Sequence, residues 1–378
     1  MAKILILGAG FGGIITAERL SQTLSGEHQI TIVSPNPKFT FYPALVRLAF
    51  GQCQPEDITF DLMTRLNDLN IRFVQGEVIR IKPEVCYVEV TGEDFDGDIS
   101  YDYLVIATGR RLATEKVGGF FEYSHHLLGI QPALKFGEAV KNFSQGHIVV
   151  GLAPEAHLPV PVCETAFALA EKFKEEIASR RISVSVLFPD TIEQAFGGAG
   201  LHRKLEQALE KHRINIVTGF SAKEITKQAL ISENGQTVDY DLLMLVPPFR
   251  GRAILNQPGL TNDFDFIRVD NFMRVQEMEK VYAVGDIVAF SGPKLAYMAA
   301  RQAQTAAENI ASEIAGGSAH KQYHHEIAAI IDEAGADSIF LHYGIWNETL
   351  YHLKEGKMWS RMKNTNNQLW EIVHGGMR

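Results

Sequence analysis

The 378-residue sequence predicts an α/β fold: two units, each a parallel sheet flanked by helices, followed by an amphipathic C-terminal segment. Three observations carry that reading. An apolar run of strand length at residues 3–7 opens directly into a glycine-rich turn and then a helical pattern. Two later apolar runs, YDYLVIATG at 101–109 and VYAVGD at 281–286, end in small residues and read as buried parallel strands. Between them, alternating strand and helix patterns run from residue 147 to 246. A chain of this length exceeds one ordinary core, which agrees with two units plus an appendage.

Gly8-Ala9-Gly10-Phe11-Gly12-Gly13 fits G-x-G-x-x-G between the strand at 3–7 and a helix at 14–20, a Rossmann-like dinucleotide turn. Gly8 allows the tight turn, Gly10 lets a pyrophosphate approach the backbone, and Gly13 lets helix and strand pack closely. The helix N-terminus adds free N–H groups and partial positive charge. Residues 29–33 form the second strand. An acidic residue usually ends it and binds a ribose hydroxyl. Here Ser34 stands at that point, before Pro35-Asn36-Pro37, so Ser34 or Asn36 is left to bond the hydroxyl. The aromatic stretch 39–45, FTFYPAL, is either core under the sheet or a wall beside a flat ring system. A helix near 61–69 leads to strands at 71–74, 78–81, 87–90 and 101–106, with an acidic turn at 92–98. Thr108-Gly109 offers a second close approach to a nucleotide. Asp286 closes a strand at its carboxyl end, where open α/β sheets bind ligands, and is placed for a ribose or ribityl hydroxyl. A capping aspartate is the plain alternative.

The second unit reads as strands at 147–150, 183–188, 215–219, 225–232 and 241–246, helices at 161–175 and 200–212, and a turn at Asn234-Gly235. The loop after its first strand, GLAPEAHLP at 151–159, has a single glycine. Pro154 and Glu155 sit where a pyrophosphate needs amides and room, which disfavours a second dinucleotide such as NADH. The expected division is 1–110 with 265–317, then 111–264 as a degenerate second unit, then 318–378. A helix at 297–315 ends at Gly316-Gly317. The tail holds Trp346, Trp359 and Trp370. Leu350, Leu353, Met358, Met362, Leu369 and Ile372 mix there with Lys354, Lys357, Arg361 and Lys363. That composition suits an amphipathic helix lying on a membrane, and a dimer contact or a lid on the second unit is the alternative.

The net charge of −9 argues against a dedicated nucleic-acid binder. No apolar run approaches a membrane span. The first strand starts at residue 3, so no signal peptide is expected, and the expected location is cytoplasmic or peripheral on the inner face of a membrane. None of the three cysteines, Cys53, Cys86 and Cys163, belongs to C-x-x-C, and an inert buried thiol is the default for each. The adjacent pairs His125-His126 and His324-His325 point apart, and no metal site is proposed.

Taken together, GAGFGG, FTFYPAL with its following glycine, YDYLVIATG and YAVGD resemble, in order and spacing, the flavoproteins with two dinucleotide folds, the glutathione-reductase-type arrangement. DLLMLVPPFRG at 241–251 and PKLAYM at 293–298 are similar to the sulfide:quinone oxidoreductases and flavocytochrome c sulfide dehydrogenases. Type II NADH dehydrogenases are the neighbouring branch. The resemblance spans about residues 2–340. It implies FAD, with Gly8, Gly10, Phe11 and Gly13 at the pyrophosphate and Gly285-Asp286 near the ribityl chain. Thr108 and Gly109 would approach from the other side, with Ser34, Pro43 and Val78 completing the binding set, Val78 near the adenine. Lys294 matches a lysine at the flavin's pyrimidine end, where a cation stabilises the anionic reduced flavin.

The same resemblance implies a cysteine pair that this chain does not keep. Ala329 stands in the place of the late cysteine, in Ala329-Ile330-Ile331-Asp332, and the partner position falls near Leu158. Cys163 is the thiol left to act alone, before Glu164 at the expected start of a helix whose dipole would lower its pKa. Glu164 matches a family glutamate that serves as a proton donor near the quinone. The expected activity passes two electrons from a small-molecule reductant through FAD to a quinone. The alternatives are a type II NADH:quinone dehydrogenase-like enzyme and a flavin-bearing but silent partner subunit. A membrane surface and a second copy of the chain are the further expected partners.

Overall fold

The computed structural model describes residues 1–25, 28–93, 95–253, 260–335, 337–347, 349–363 and 365. The first sheet has five parallel strands, in the order Val281–Ala283, Tyr103–Ile106, Lys3–Leu7, Gln29–Ser34 and Arg72–Gln75. Leu7 lies opposite Val33 on one side and Ile106 on the other. The central strand is apolar along its length because both faces are covered, and Ile4 to Leu7 are all buried. Helices Phe11–Thr23 and Ala296–Ile314 pack against each other beside it. The last two residues of the acidic turn expected at 92–98 belong to a further strand, Gly97–Ser100, which pairs antiparallel with Tyr87–Thr91 and places Ile99 opposite Val88. One apolar residue in that strand is too few to show a period in sequence.

The second sheet runs Ile214–Val217, Ile182–Leu187, Gly146–Leu152, Leu242–Val246, again parallel. The stretch read as one strand at 225–232 is a hairpin of Ala222–Ile225 and Ala229–Ser232. Thr226 causes the bend, its hydroxyl accepting from the Ala229 N–H at 3.1 Å. The helix expected at 161–175 begins earlier, as Pro159–Lys172, with proline in the first turn where no donor is needed. A separate turn, Lys174–Ala178, follows it. A two-stranded ribbon joins the units, with Arg111 opposite Arg250 and Leu112 opposite Phe249.

The C-terminal expectation needs correction. Residues 326–355 do not form an amphipathic helix. They form an antiparallel sheet of Glu326–Asp332, Ser338–Gly344 and Tyr351–Glu355. The operative period is two: Ile327, Ile331, Ile339, Leu341 and Tyr343 turn inward and are buried. Among the described residues of this segment, helix appears at 357–363 and at 365, with Trp359 stacked on Phe340 at 4.3 Å between ring centroids. The sheet packs on helix Pro159–Lys172, and Tyr351 donates from its hydroxyl to the Gly200 carbonyl at 3.0 Å. Leu369, Trp370 and Ile372 lie outside the described residues. Among the described residues, no helix is long and apolar enough to cross a membrane.

Candidate functional site

Three strand ends meet at the carboxyl edge of the first sheet. The Gly8 N–H donates to the Val33 carbonyl at 2.8 Å, the Ala107 N–H to Leu7 at 2.8 Å, and the Val284 N–H to Ile106 at 3.0 Å. These bonds bring the turns at 8–13, 107–109 and 284–286 together. Gly8 has φ +103°, and a Cβ there would strike the Ala107 carbonyl; one at Gly13 would strike the Gly8 carbonyl. These two glycines serve close packing of strand, helix and neighbouring strand. Gly10 differs: φ is −82° and nothing lies within 4 Å of a built Cβ, so its free side faces open space. It caps helix Phe11–Thr23 without a side-chain cap, leaving the first amides available to an anion.

Across this face Gly109 is equally open and has φ +68°, while the Thr108 hydroxyl is buried without a partner. A buried orphan hydroxyl beside open glycines is what a polar ligand threading between the turns requires. Phe11 packs edge-on against Phe39 at 5.0 Å and near Phe41 at 5.8 Å, so the aromatic stretch forms a wall next to the turn. Pro43 lies beside it in the short turn Tyr42–Ala44. Ser34 is buried, and its hydroxyl donates to the Asn36 carbonyl at 3.3 Å. The Gly76 N–H reaches the Ser34 carbonyl at 3.1 Å, which puts Val78, two residues on, at the same edge.

Gly285 has φ +81°, and its N–H donates to Gln302 Oε1 at 2.6 Å. Asp286 pairs with the guanidinium of Arg110, a residue whose importance the sequence reading missed. Arg110 follows ATG directly at the strand's carboxyl end, which was the available signal. Its guanidinium lies 4.1 Å over the Phe249 ring, and burial lowers its pKa to about 10. Lys294 forms the far wall. Its ammonium bonds the Val288 and Phe290 carbonyls, its backbone N–H donates to the His157 carbonyl at 2.7 Å, and burial together with Arg110 brings its pKa to about 7. His157 is held neutral, near 4, by burial and by Lys294, Arg110 and Arg250.

The structure does not bring Cys163 to this face. Cys163 is fully buried inside helix Pro159–Lys172, beyond its first residues, and burial raises its thiol pKa, with Glu164 adding to the rise. The expected helix-start thiolate is therefore corrected: burial outweighs the dipole. Glu164 faces the tail. It accepts from the Asp332 N–H at 2.8 Å and from Lys363 Nζ, and Ser360 donates to Asp332 at 3.1 Å. Burial raises the Glu164 pKa against the opposing pull of Lys363. Lys363 was missed as a partner because three separate segments build this cluster.

The second unit's equivalent turn is closed. Glu155 takes a left-handed φ of +61° and pairs with Arg250, and its carbonyl accepts from the Phe249 N–H at 3.1 Å. Pro159 and Pro161 remove amides from the helix N-terminus beneath it.

The family model for pyridine nucleotide-disulphide oxidoreductases matches residues 2–151 and 163–303, and the gap falls on this closed turn. The sulfide-quinone reductase of Aquifex aeolicus is 27% identical over 337 residues, covering 83% of this chain and 77% of that one. Demethylphylloquinone reductase NdbB of Synechocystis is 24% identical over 293 residues, covering 75% and 71%. Among solved structures, the sulfide:quinone oxidoreductase of Aquifex aeolicus superposes with a TM-score of 0.90 at 25% identity, covering 100% of this chain and 92% of that one. NDH2 of Plasmodium falciparum in complex with NADH superposes at 0.73 and 16% identity, covering 98% and 94%. A doubled α/β architecture, a glycine turn meeting two further strand ends, and a family model matching most of its length place the chain in the pyridine nucleotide-disulphide oxidoreductase family.

Proposed function

We propose that the protein is an FAD-dependent oxidoreductase of the sulfide:quinone oxidoreductase type, moving two electrons from a small-molecule reductant to a quinone. The observation that carries this reading is the convergence of the turns at 8–13, 107–109 and 284–286 on one open face, with Lys294 in its wall. The residues fit the cofactor: the backbone at Gly10 and Phe11 would hold the pyrophosphate in a turn that Gly8 and Gly13 shape, and Thr108, Gly109, Gly285 and Asp286 would hold the ribityl chain. Ser34, Pro43 and Val78 would flank the nucleotide end. When bound, the flavin supplies the two-electron chemistry.

The chain's own groups define the rest. Lys294, with a pKa near 7, takes up a proton at Nζ when negative charge develops beside it and stabilises that charge. Glu164, its pKa raised by burial and its carboxylate held by Lys363, is suited to hold a proton for an acceptor on the tail side. Leu158 and Ala329 offer no thiols, and Cys163 is buried, so a relay between paired sulfurs is not available to these residues. The closed turn at 151–159 weighs against NADH as the donor. Exposed Met358 and Met362 beside exposed Lys357 and Arg361 favour contact with a membrane surface, where a quinone is found.

The test is an anaerobic titration of purified protein, following flavin absorbance with sulfide and then with NADH. Bleaching by sulfide that a soluble quinone reverses supports the reading. Bleaching by NADH alone moves the chain to the type II NADH dehydrogenase branch. Bleaching by dithionite only leaves a silent flavin-bearing subunit.

A further inference from the structure

A hydrogen-bond chain of fixed direction runs through the wall of the cofactor face and ends in the C-terminal segment. The Gly285 N–H donates to Gln302 Oε1 at 2.6 Å. The Gln302 amide N–H donates to the Tyr323 hydroxyl at 3.5 Å. Tyr323 stands 3.1 Å from His325 Nδ1, and His325 Nε2 stands 2.8 Å from the Ser291 carbonyl. A carbonyl only accepts, so Nε2 must carry the proton; Nδ1 then accepts and the Tyr323 hydroxyl must donate. No member has a free choice of direction. Gln302, Tyr323 and His325 are all buried, at 4%, 2% and 2% exposure. Phe290 stacks on Tyr323 at 5.6 Å and Trp346 stands edge-on at 4.8 Å from Phe290, closing the chain from solvent.

Both ends of the chain land on the cofactor face. One end fixes the turn that carries Gly285 and Asp286; the other fixes Ser291, inside the 288–294 loop whose carbonyls hold the Lys294 ammonium. Gly285, Asp286, Lys294, Gln302 and His325 line one cleft. We infer that His325 is a positioning residue for the flavin site, acting through Ser291 on the Lys294 loop and through Tyr323 and Gln302 on the Gly285 turn. The C-terminal segment is thereby a working part of the cofactor wall and not only an attachment surface. Neutral His325 suits this role, since burial and Lys294 hold its pKa near 4 and the chain keeps its direction through the physiological range.

The inference rests on the flavin reading, and its test separates the two. FAD affinity, the flavin visible band and the flavin reduction potential are measured for wild type, His325→Phe, His325→Gln and Tyr323→Phe. The Phe variant at 325 is expected to bind FAD roughly tenfold more weakly, the effect of one lost buried hydrogen bond, with a displaced band and a lower potential as Lys294 loosens. The Gln variant, whose amide can again donate to Ser291, is expected to recover affinity and potential. Tyr323→Phe keeps the ring stack but cuts the links to Gln302 and to His325 Nδ1 while leaving the His325–Ser291 bond, so its band shifts while its potential stays nearer wild type. If His325→Phe does not fold, Tyr323→Phe carries the test. Wild-type affinity, band and potential in the folded variants overturn the inference. A wild-type protein that takes up no FAD overturns the flavin reading, and the inference falls with it.

Discussion

At Gly10 the backbone is ordinary and the space beyond it is open, so a side chain strains nothing in the protein. Gly10→Val is therefore expected to melt with the wild type yet purify colourless, and a yellow Gly10→Val protein overturns the pyrophosphate assignment. Lys294 makes a pH prediction whose sign follows from proton counting. Its amine titrates at 10.5 in an ordinary setting and near 7 here, so between those values the unfolded chain binds the extra proton. This group therefore adds stability as pH rises from about 7 to about 10.5. In flavin-free protein, Lys294→Met should flatten that rise in a plot of Tm against pH; an unchanged slope assigns it to other groups. Cys163→Ser is expected to keep turnover while losing about 1–3 kcal/mol, because a hydroxyl without an assured partner replaces a buried thiol. Abolished turnover would restore the thiol to the mechanism.

At the scale of elements, helix Pro159–Lys172 meets the tail sheet and the helix at 357–363 through Glu164, Asp332 and Lys363. Removing the cation alone leaves a buried carboxylate uncompensated, so Lys363→Met should cost roughly 3 kcal/mol in denaturant unfolding. The double variant Lys363→Met with Glu164→Gln should recover much of it; equal losses in both would show that the pair is not coupled. The same region marks the limit of what the sequence disclosed. The strands at 3–7, 103–106 and 281–283 were legible because apolar runs of strand length end in small residues, a pattern few other structures share. Residues 350–363 mix apolar and basic side chains at spacings that serve either period, and the partner strand that decides between them lies elsewhere in the chain. Arg110 had a signal in its place directly after ATG, whereas Gln302, His325 and Lys363 carry no local pattern, and only the assembled fold gives them neighbours.

At the scale of the whole molecule, the tail raises a question of attachment. Loss of residues 357–378 spares the strands of the antiparallel sheet but removes Lys363 and Trp359, so a chain ending at Gly356 should fold with at least the stability loss expected of Lys363→Met. It should no longer float with anionic liposomes if this end binds membrane. Unchanged flotation would place the contact elsewhere or nowhere. The strand Val281–Ala283 has a consequence for the history of the chain. It completes the first sheet beside Tyr103–Ile106, yet it is made only after the entire second unit. During synthesis the Tyr103–Ile106 edge must wait unpaired while residues 146–246 assemble their own sheet from nearer partners. Such distant pairing is slow, and a waiting edge invites wrong company. A nascent chain stopped at residue 264 should thus resist protease across residues 146–246 while its first hundred residues are cut and no flavin is retained, making cofactor capture a late event in the protein's birth.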